Sequence, residues 1–271
     1  ITLYVCVCVC VCVCMYHGLQ VATPRTRIAD IRLVSRHPEV YEPCDDSFAL
    51  VDALLADRQY LASLRPSLCL EVGCGSGYVI TSLALILASN CDTKVQYLAT
   101  DINEVAVNTT RATLQAHKVD ADVVVGDLVS GLGKRQLNGC VDVLVFNPPY
   151  VPTPDDEVGV DGIASSWAGG YKGRAVIDRM LAIVDSLLSS KGVFYLVTVT
   201  ANNPGEICQI MRKKGFASRI VVQRYTEEES LHILKFWREA LDETLDFTGP
   251  ALSSPRSSSF LQRSLSRLVS F

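Results

Sequence analysis

Between Pro43 and Trp237, short apolar runs take turns with segments whose apolar residues recur at helical spacing. Phe48, Leu50, Val51, Leu54 and Leu55 share one face of a first helix, for which Asp45 or Asp46 would serve as the cap. Leu68 to Val72 predicts a strand, then come a glycine cluster and a helix over about Tyr78 to Ala88. Val95 to Thr100 predicts a second strand ending at Asp101, and Asn103 caps a helix reaching His117. Strands follow over Asp122 to Val125 and Val141 to Phe146, then a long loop and a helix around Ala175 to Leu188. Val193 to Val199 reads as a strand, and Pro204 to Lys214 as a helix stopped by Gly215. Ser218 to Gln223 and Leu231 to Phe236 complete seven strands. Strands alternating with helices in this way imply an α/β fold, a mostly parallel sheet with helices on both faces. Ligands bind such sheets beyond the carboxyl ends of the strands, where strand order switches.

Both edges of the chain differ from this body. Ile1 to Tyr16 is largely a Val-Cys repeat, without a basic start or a cleavage site, and is shorter than the roughly 20 residues of a membrane span. It is what a translated two-base DNA repeat would give, so residues 1–37 are expected to be disordered or a gene-model extension, with Met15 a candidate start. Pro250 to Phe271 carries eight Ser, three Arg and no acid, and residues 238–271 are expected to be a disordered tail. The domain is placed at 38–237.

Composition narrows the chemistry. The 271 residues are 49% apolar and 20% charged, enough to fill a core and too ordered in pattern for wholesale disorder. A net charge of −4 argues against a protein whose affinity comes from neutralising phosphates. Of 11 cysteines, five lie in the Val-Cys repeat, and the rest form no C-x-x-C pair, so reduced intracellular thiols and no metal site are expected.

Candidate chemistry sits at the strand ends. Glu71-Val72-Gly73-Cys74-Gly75-Ser76-Gly77 follows the first strand and opens a helix. Gly73, Gly75 and Gly77 let backbone pass close to a ligand. Tyr78 stands where the dinucleotide pattern needs a small residue, which argues against NAD or FAD. Asp101, at the second strand end, is placed to accept two ribose hydroxyls, and Asp127, after the third, to accept an adenine amino group. Taken singly, each acid reads as a solvated loop carboxylate or a cap. Three at consecutive strand ends describe an adenosine pocket without a phosphate site, which fits S-adenosylmethionine.

Asn147-Pro148-Pro149-Tyr150 follows the fourth strand. As a bland turn it would be ordinary, since Asn before Pro starts many turns. Its chemistry is more specific. An amide or arylamine nitrogen is a poor nucleophile because its lone pair is delocalised. The Asn147 side-chain oxygen and the Pro148 carbonyl can accept its two N–H bonds, aim the lone pair and stabilise charge growing on nitrogen. The prolines fix φ and offer no competing donor. Tyr150 would give a flat face to a planar group.

With Val40-Tyr41-Glu42-Pro43-Cys44-Asp45-Asp46-Ser47-Phe48, the glycine loop and Val145 to Tyr150, the chain resembles the HemK protein-glutamine N5-methyltransferases. It is most similar to the short eukaryotic and archaeal branch that modifies class 1 translation termination (release) factors. Trp167-Ala168-Gly169-Gly170, Gly173-Arg174 and Phe194 to Thr198 extend the likeness, which covers about Val40 to Trp237. The resemblance implies a class I S-adenosylmethionine-dependent methyltransferase (Rossmann-like) fold. It also implies cofactor contacts at Ser47, Glu71, Gly73, Asp101, Asp127 and Leu128, and an acceptor site at Asn147 to Tyr150. Ser47 and Cys74 depart from the family's usual Thr and Ser, swaps that keep size. The implied target is the glutamine of a Gly-Gly-Gln loop. The implied partner is a small zinc-binding activator protein, which would cover the apolar Val123-Val124-Val125 at the sheet edge. A cytoplasmic location is expected, and no basic run speaks to nuclear entry.

Three other readings compete. Asn-Pro-Pro-Tyr also serves enzymes that methylate exocyclic amines of nucleic acids. Those should carry a basic face, whereas the loop from Val151 to Lys172 holds Asp155, Asp156, Glu157 and Asp161. Lysine methylation fits poorly, because the motif is not built for an ammonium group. A non-catalytic cofactor-binding scaffold fits poorly too, because pocket and acceptor motif are both intact.

Overall fold

Strands β1 (Leu68–Val72), β2 (Gln96–Asp101), β3 (Asp122–Val125), β4 (Val141–Phe146), β5 (Leu188–Val199), β6 (Phe216–Tyr225) and β7 (Ser230–Arg238) build one sheet. Its order is β3-β2-β1-β4-β5-β7-β6, and β7 alone runs antiparallel to its neighbours. The computed structural model describes residues 27–90, 94–132, 137–159, 162–225 and 230–238. The order reverses between β1 and β4, so the switch point lies where their carboxyl ends diverge. This is the class I methyltransferase arrangement.

Alternation along the strands sorts side chains into two cores. Cys69 of β1, Val143 and Val145 of β4, and Tyr195 and Val197 of β5 face helices α1 (Asp45–Ala56), α3 (Tyr78–Ala88) and α4 (Glu104–His117). Leu70, Val72, Leu144, Phe146, Phe194 and Leu196 face α5 (Ala175–Leu187) and α6 (Pro204–Lys213). Strand β4 is buried at every position because helices cover both its faces. A short helix α2 (Arg58–Ser63), not read from the sequence, extends α1.

Two local expectations change. The cap position of α1 is Cys44, which makes no side-chain cap bond, while Asp45 and Asp46 lie inside the first turn. The domain also begins before residue 38. Ala29 and Val34 are buried in the first core, and the Ala29, Asp30 and Ser35 amides donate to Ser82, His117 and Thr113 on α3 and α4. The Val-Cys repeat and the Ser/Arg-rich tail lie outside the described residues.

Candidate active site

The glycine loop after β1 is held open by bonds from its neighbours. Asp101 at the end of β2 accepts the Gly75 amide on Oδ2 at 2.8 Å and the Asn103 amide on Oδ1 at 2.9 Å. From α4, the Thr110 and Thr113 hydroxyls donate to the Gly75 and Ser76 carbonyls at 2.9 and 2.7 Å. Gly73, Gly75 and Gly77 all have positive φ, which a side chain would resist. Glu71 points to the α3 side and accepts the Ile80 amide at 2.8 Å, capping that helix from below. Burial pushes the Glu71 carboxyl well above the usual range, the Ile80 amide pulls it back, and nearby Asp101 adds to the rise. Burial raises Asp101 too, against its backbone amide donors.

A cavity of about 180 Å³ opens over this loop. Ser47, Glu71, Gly73, Gly75, Asp101, Asp127, Leu128, Asn147, Pro148 and Pro149 all line it, so the structure brings together most of the residues singled out from sequence. Two stand apart from its wall. Gly77 serves helix packing, since a Cβ there would meet the Thr110 Cα at 2.9 Å. Tyr150 sits behind the wall, with its hydroxyl donated to Asp46 Oδ2 at 3.0 Å. Burial and the Asp46 charge push its phenol above the ordinary range, so it remains a donor.

Asp127 is not free. Its Oδ2 accepts Arg179 Nη2 from α5 at 2.5 Å, and that guanidinium also lines the cavity. Leu128 beside it has a left-handed backbone with φ of 53°, uncommon for a branched residue. Among the described lining residues five carry carboxylates (Glu39, Asp46, Glu71, Asp101 and Asp127), and Arg179, already paired, is the one with a permanent cation.

The acceptor tetrapeptide leaves β4 and is braced from three directions. Asp46 of α1, which is buried, accepts Asn147 Nδ2 at 3.1 Å on the same Oδ2 that takes the Tyr150 hydroxyl. The buried Asn202, just past β5, donates Nδ2 to the Tyr150 carbonyl at 2.8 Å and to the Lys172 carbonyl at 2.9 Å, while its Oδ1 accepts the Val199 amide. Gly173 packs against the tetrapeptide so closely that a Cβ would lie 1.8 Å from the Tyr150 carbonyl oxygen. Gly169 does the same to the Pro149 carbonyl at 2.6 Å. Asn147 Oδ1 is buried and has no hydrogen-bond partner. Sequence reasoning does not single out Asp46, Arg179 or Asn202 as site residues. The first reads as a helix cap, while the others lie in a helix and at a strand end without a local motif.

The chain's residues 49–161 match the family model for the methyltransferase small domain. Human methyltransferase HEMK2 is 48% identical over 198 residues, 73% of this chain and 89% of that protein. The catalytic subunit mtq2 of the eRF1 methyltransferase from Schizosaccharomyces pombe is 35% identical over 80% of this chain and 96% of its own length. Among solved structures, the E. cuniculi Mtq2-Trm112 complex, described as responsible for methylating the eRF1 translation termination factor, aligns with a TM-score of 0.54. It shows 28% identity over 74% of this chain and 99% of that one. With nearly the full length of these relatives matched, the chain belongs to the HemK family of methyltransferases, in the branch of HEMK2 and Mtq2.

Proposed function

We propose that the protein transfers a methyl group from S-adenosylmethionine to the side-chain amide nitrogen (N5) of glutamine in the Gly-Gly-Gln loop of a class 1 translation termination factor. One observation carries the reading: Asn147, which lines the cavity, has in its Oδ1 a buried acceptor without a donor. Leaving such a group unpaired costs about 1–3 kcal/mol, which an entering N–H recovers. Asn147 Oδ1 and the Pro148 carbonyl would accept the two N–H bonds of a planar amide, turn its lone pair toward the cavity and favour the positive charge that develops on nitrogen. No strong base is required, because an alkylated amide nitrogen becomes acidic and loses its proton to water. Holding the reactants in line is worth up to roughly 7–11 kcal/mol in well-oriented systems.

The cavity suits a cationic cofactor and not a phosphate-bearing one. Its carboxylates outnumber its single, paired guanidinium, and burial already raises both Glu71 and Asp101, with the Asp101 charge adding to the rise at Glu71. S-adenosylmethionine supplies, when bound, a sulfonium-activated methyl group. Ser47, Glu71, Gly73 and Gly75 would hold its methionine part, Asp101 the ribose, and Asp127 and Leu128 the adenine. Because Arg179 already occupies one oxygen of Asp127, an adenine amino group would share that carboxylate.

A small activator partner belongs to the same proposal. Strand β3 is the sheet edge, with Val125 46% exposed and Ile102 beside the end of β2 58% exposed. The E. cuniculi relative was solved together with Trm112. We take the activator to be the zinc-binding protein that the resemblance implies, seated on this edge. Expressed alone, the chain should be poorly soluble and gain cofactor binding with it; equal behaviour with and without it would count against the pairing.

Exposed Asp155 and Asp156 and half-buried Glu157, on the loop whose Val158 and Gly159 line the cavity, disfavour a nucleic-acid substrate. The test is transfer of labelled methyl to a termination factor, beside its Gln→Ala form and duplex DNA. Labelling of the intact factor alone is the expected result. Labelling of DNA, or of the Gln→Ala factor, would overturn the assignment.

A further inference from the structure

Asn147 can place either end of its amide toward the cavity, and only one end is useful to an N–H substrate. The structure contains the group that decides between them. Asp46 Oδ2 stands 3.1 Å from Asn147 Nδ2 and 3.0 Å from the Tyr150 hydroxyl. Its Oδ1 takes the Ser47 amide at 2.5 Å, the Ser47 hydroxyl and the Cys44 thiol at 3.1 Å. Each of these partners is a donor. Were Asn147 reversed, its oxygen would face a carboxylate oxygen at hydrogen-bond distance, acceptor against acceptor, and its NH2 would face the substrate.

We propose that Asp46 is a positioning residue that fixes the sense of the Asn147 amide and thereby restricts the site to acceptors that present N–H bonds. This rests on the reading of Asn147 given above. Asp46 sits 101 residues from Asn147 in the chain, on α1, so α1 and the end of β4 together form the acceptor site. The hydroxyl of Tyr150 shares the same oxygen and steadies it, so the fourth residue of the tetrapeptide acts through Asp46.

The test is an exchange of charge and amide. In Asp46→Asn the new NH2 cannot face the Ser47 amide, so it must face Asn147, which then reverses to accept it. The expected result is a fall in kcat on the order of 100-fold, the size seen when one transition-state hydrogen bond is lost. Cofactor Kd should stay within about threefold, as for a change that leaves the remaining contacts of the site in place. Asn147→Asp alone sets two carboxylates face to face and should be at least as impaired. In the double variant Asp46→Asn with Asn147→Asp, the amide introduced on α1 donates to one oxygen of the carboxylate introduced after β4. The other oxygen of that carboxylate stays directed at the substrate. Activity should recover about tenfold or more over Asp46→Asn, roughly a factor that restores one oriented hydrogen bond. A purely structural role for Asp46 would show additive losses. Additivity, or a kcat for Asp46→Asn within about threefold of wild type, overturns the proposal.

The orientation is also read without turnover, from the side-chain amide resonances of Asn147 in the wild-type activator complex. One proton slowed in exchange and shifted downfield by Asp46, and released in Asp46→Asn, is expected; two freely exchanging protons in both proteins would refute it. If the wild type does not methylate the termination factor, the substrate assignment fails while this signature still judges Asp46.

Discussion

Gly173→Ala probes how tightly the acceptor motif is held. Gly173 has φ of 65°, and a Cβ there would stand 1.8 Å from the Tyr150 carbonyl oxygen and 2.5 Å from Asn202 Nδ2. Side-chain carbons essentially never approach such atoms within 3.0 Å, so one partner must retreat by more than about 1 Å. Left-handed backbone in a residue with a Cβ costs about 1–2 kcal/mol, and overpacking adds about 1–3 kcal/mol. The expected destabilisation is therefore about 2–5 kcal/mol, read by chemical denaturation of the activator complex. Displacement of Tyr150 also carries Asn147 with it, and a shift of about 1 Å in a reacting geometry can cost roughly 100-fold in kcat. Gly139→Ala is the matched control, for that exposed glycine has φ of 67° and open space at its Cβ. It should lose about 1–2 kcal/mol from backbone strain alone and keep full kcat. If Gly173→Ala behaved like Gly139→Ala in both stability and turnover, the close packing of Gly173 on the tetrapeptide would have no consequence, and the reasoning would fail.

Two further variants separate the binding and chemical halves of the site. Asp101→Ala removes the acceptor of the Gly75 and Asn103 amides as well as a ribose partner, and should raise the cofactor Kd by more than about tenfold, the loss of one or more charge-assisted bonds. An unchanged Kd in calorimetry would remove Asp101 from the pocket. Glu71 has its folded-state pKa raised, chiefly by burial, so between its unfolded and folded values the native state holds the extra proton. Its contribution to stability is then present at low pH and lost as pH rises through the folded value. Glu71→Gln keeps an acceptor for the Ile80 amide without the charge, and should therefore gain stability relative to wild type as pH rises through and above the ordinary glutamate range. A difference between the two proteins that stays flat over that range would show that Glu71 is not held against ionisation.

Much of the fold is legible because its signals are local. A buried strand such as Val141–Phe146 is marked by its nearly unbroken apolar run, and α4 by Asn103, whose side chain accepts the Val105 amide as a cap should. Strand ends are harder to place: β6 extends beyond its apolar core because pairing with β7 carries Arg224 into the ladder opposite Leu231, and β5 starts early, at Leu188 opposite Val141, with an irregularity before Val193. Residues 27–37 show no periodicity, and it is the burial of Ala29 and Val34 with the bonds to Ser82, His117 and Thr113 that reveals that they belong to the domain. In the site, residues recognisable by chemical type at a strand end stand out from sequence, among them Glu71, Asp101 and Asn147. Those that act through distant partners do not. Asp46 looks like any carboxylate in the first turn of a helix until β4 folds its end over it. Asn202 is a single polar residue after a strand, and the three carbonyls that its Nδ2 reaches lie 29 or more residues back, in segments that no pattern joins to it. Gly173 is marked in the sequence by the family likeness alone, and its reason, contact with the Tyr150 carbonyl, is purely three-dimensional.

The central claim is that Asn147 Oδ1 and the Pro148 carbonyl receive the two N–H bonds of a substrate amide. A crystal structure of the activator complex with S-adenosylhomocysteine and a glutamine peptide containing Gly-Gly-Gln tests it directly. The glutamine side-chain nitrogen is expected within about 3.2 Å of both oxygens, a normal N–H···O distance. Glutamine held elsewhere, or Asn147 turned with its NH2 toward the peptide, would contradict it.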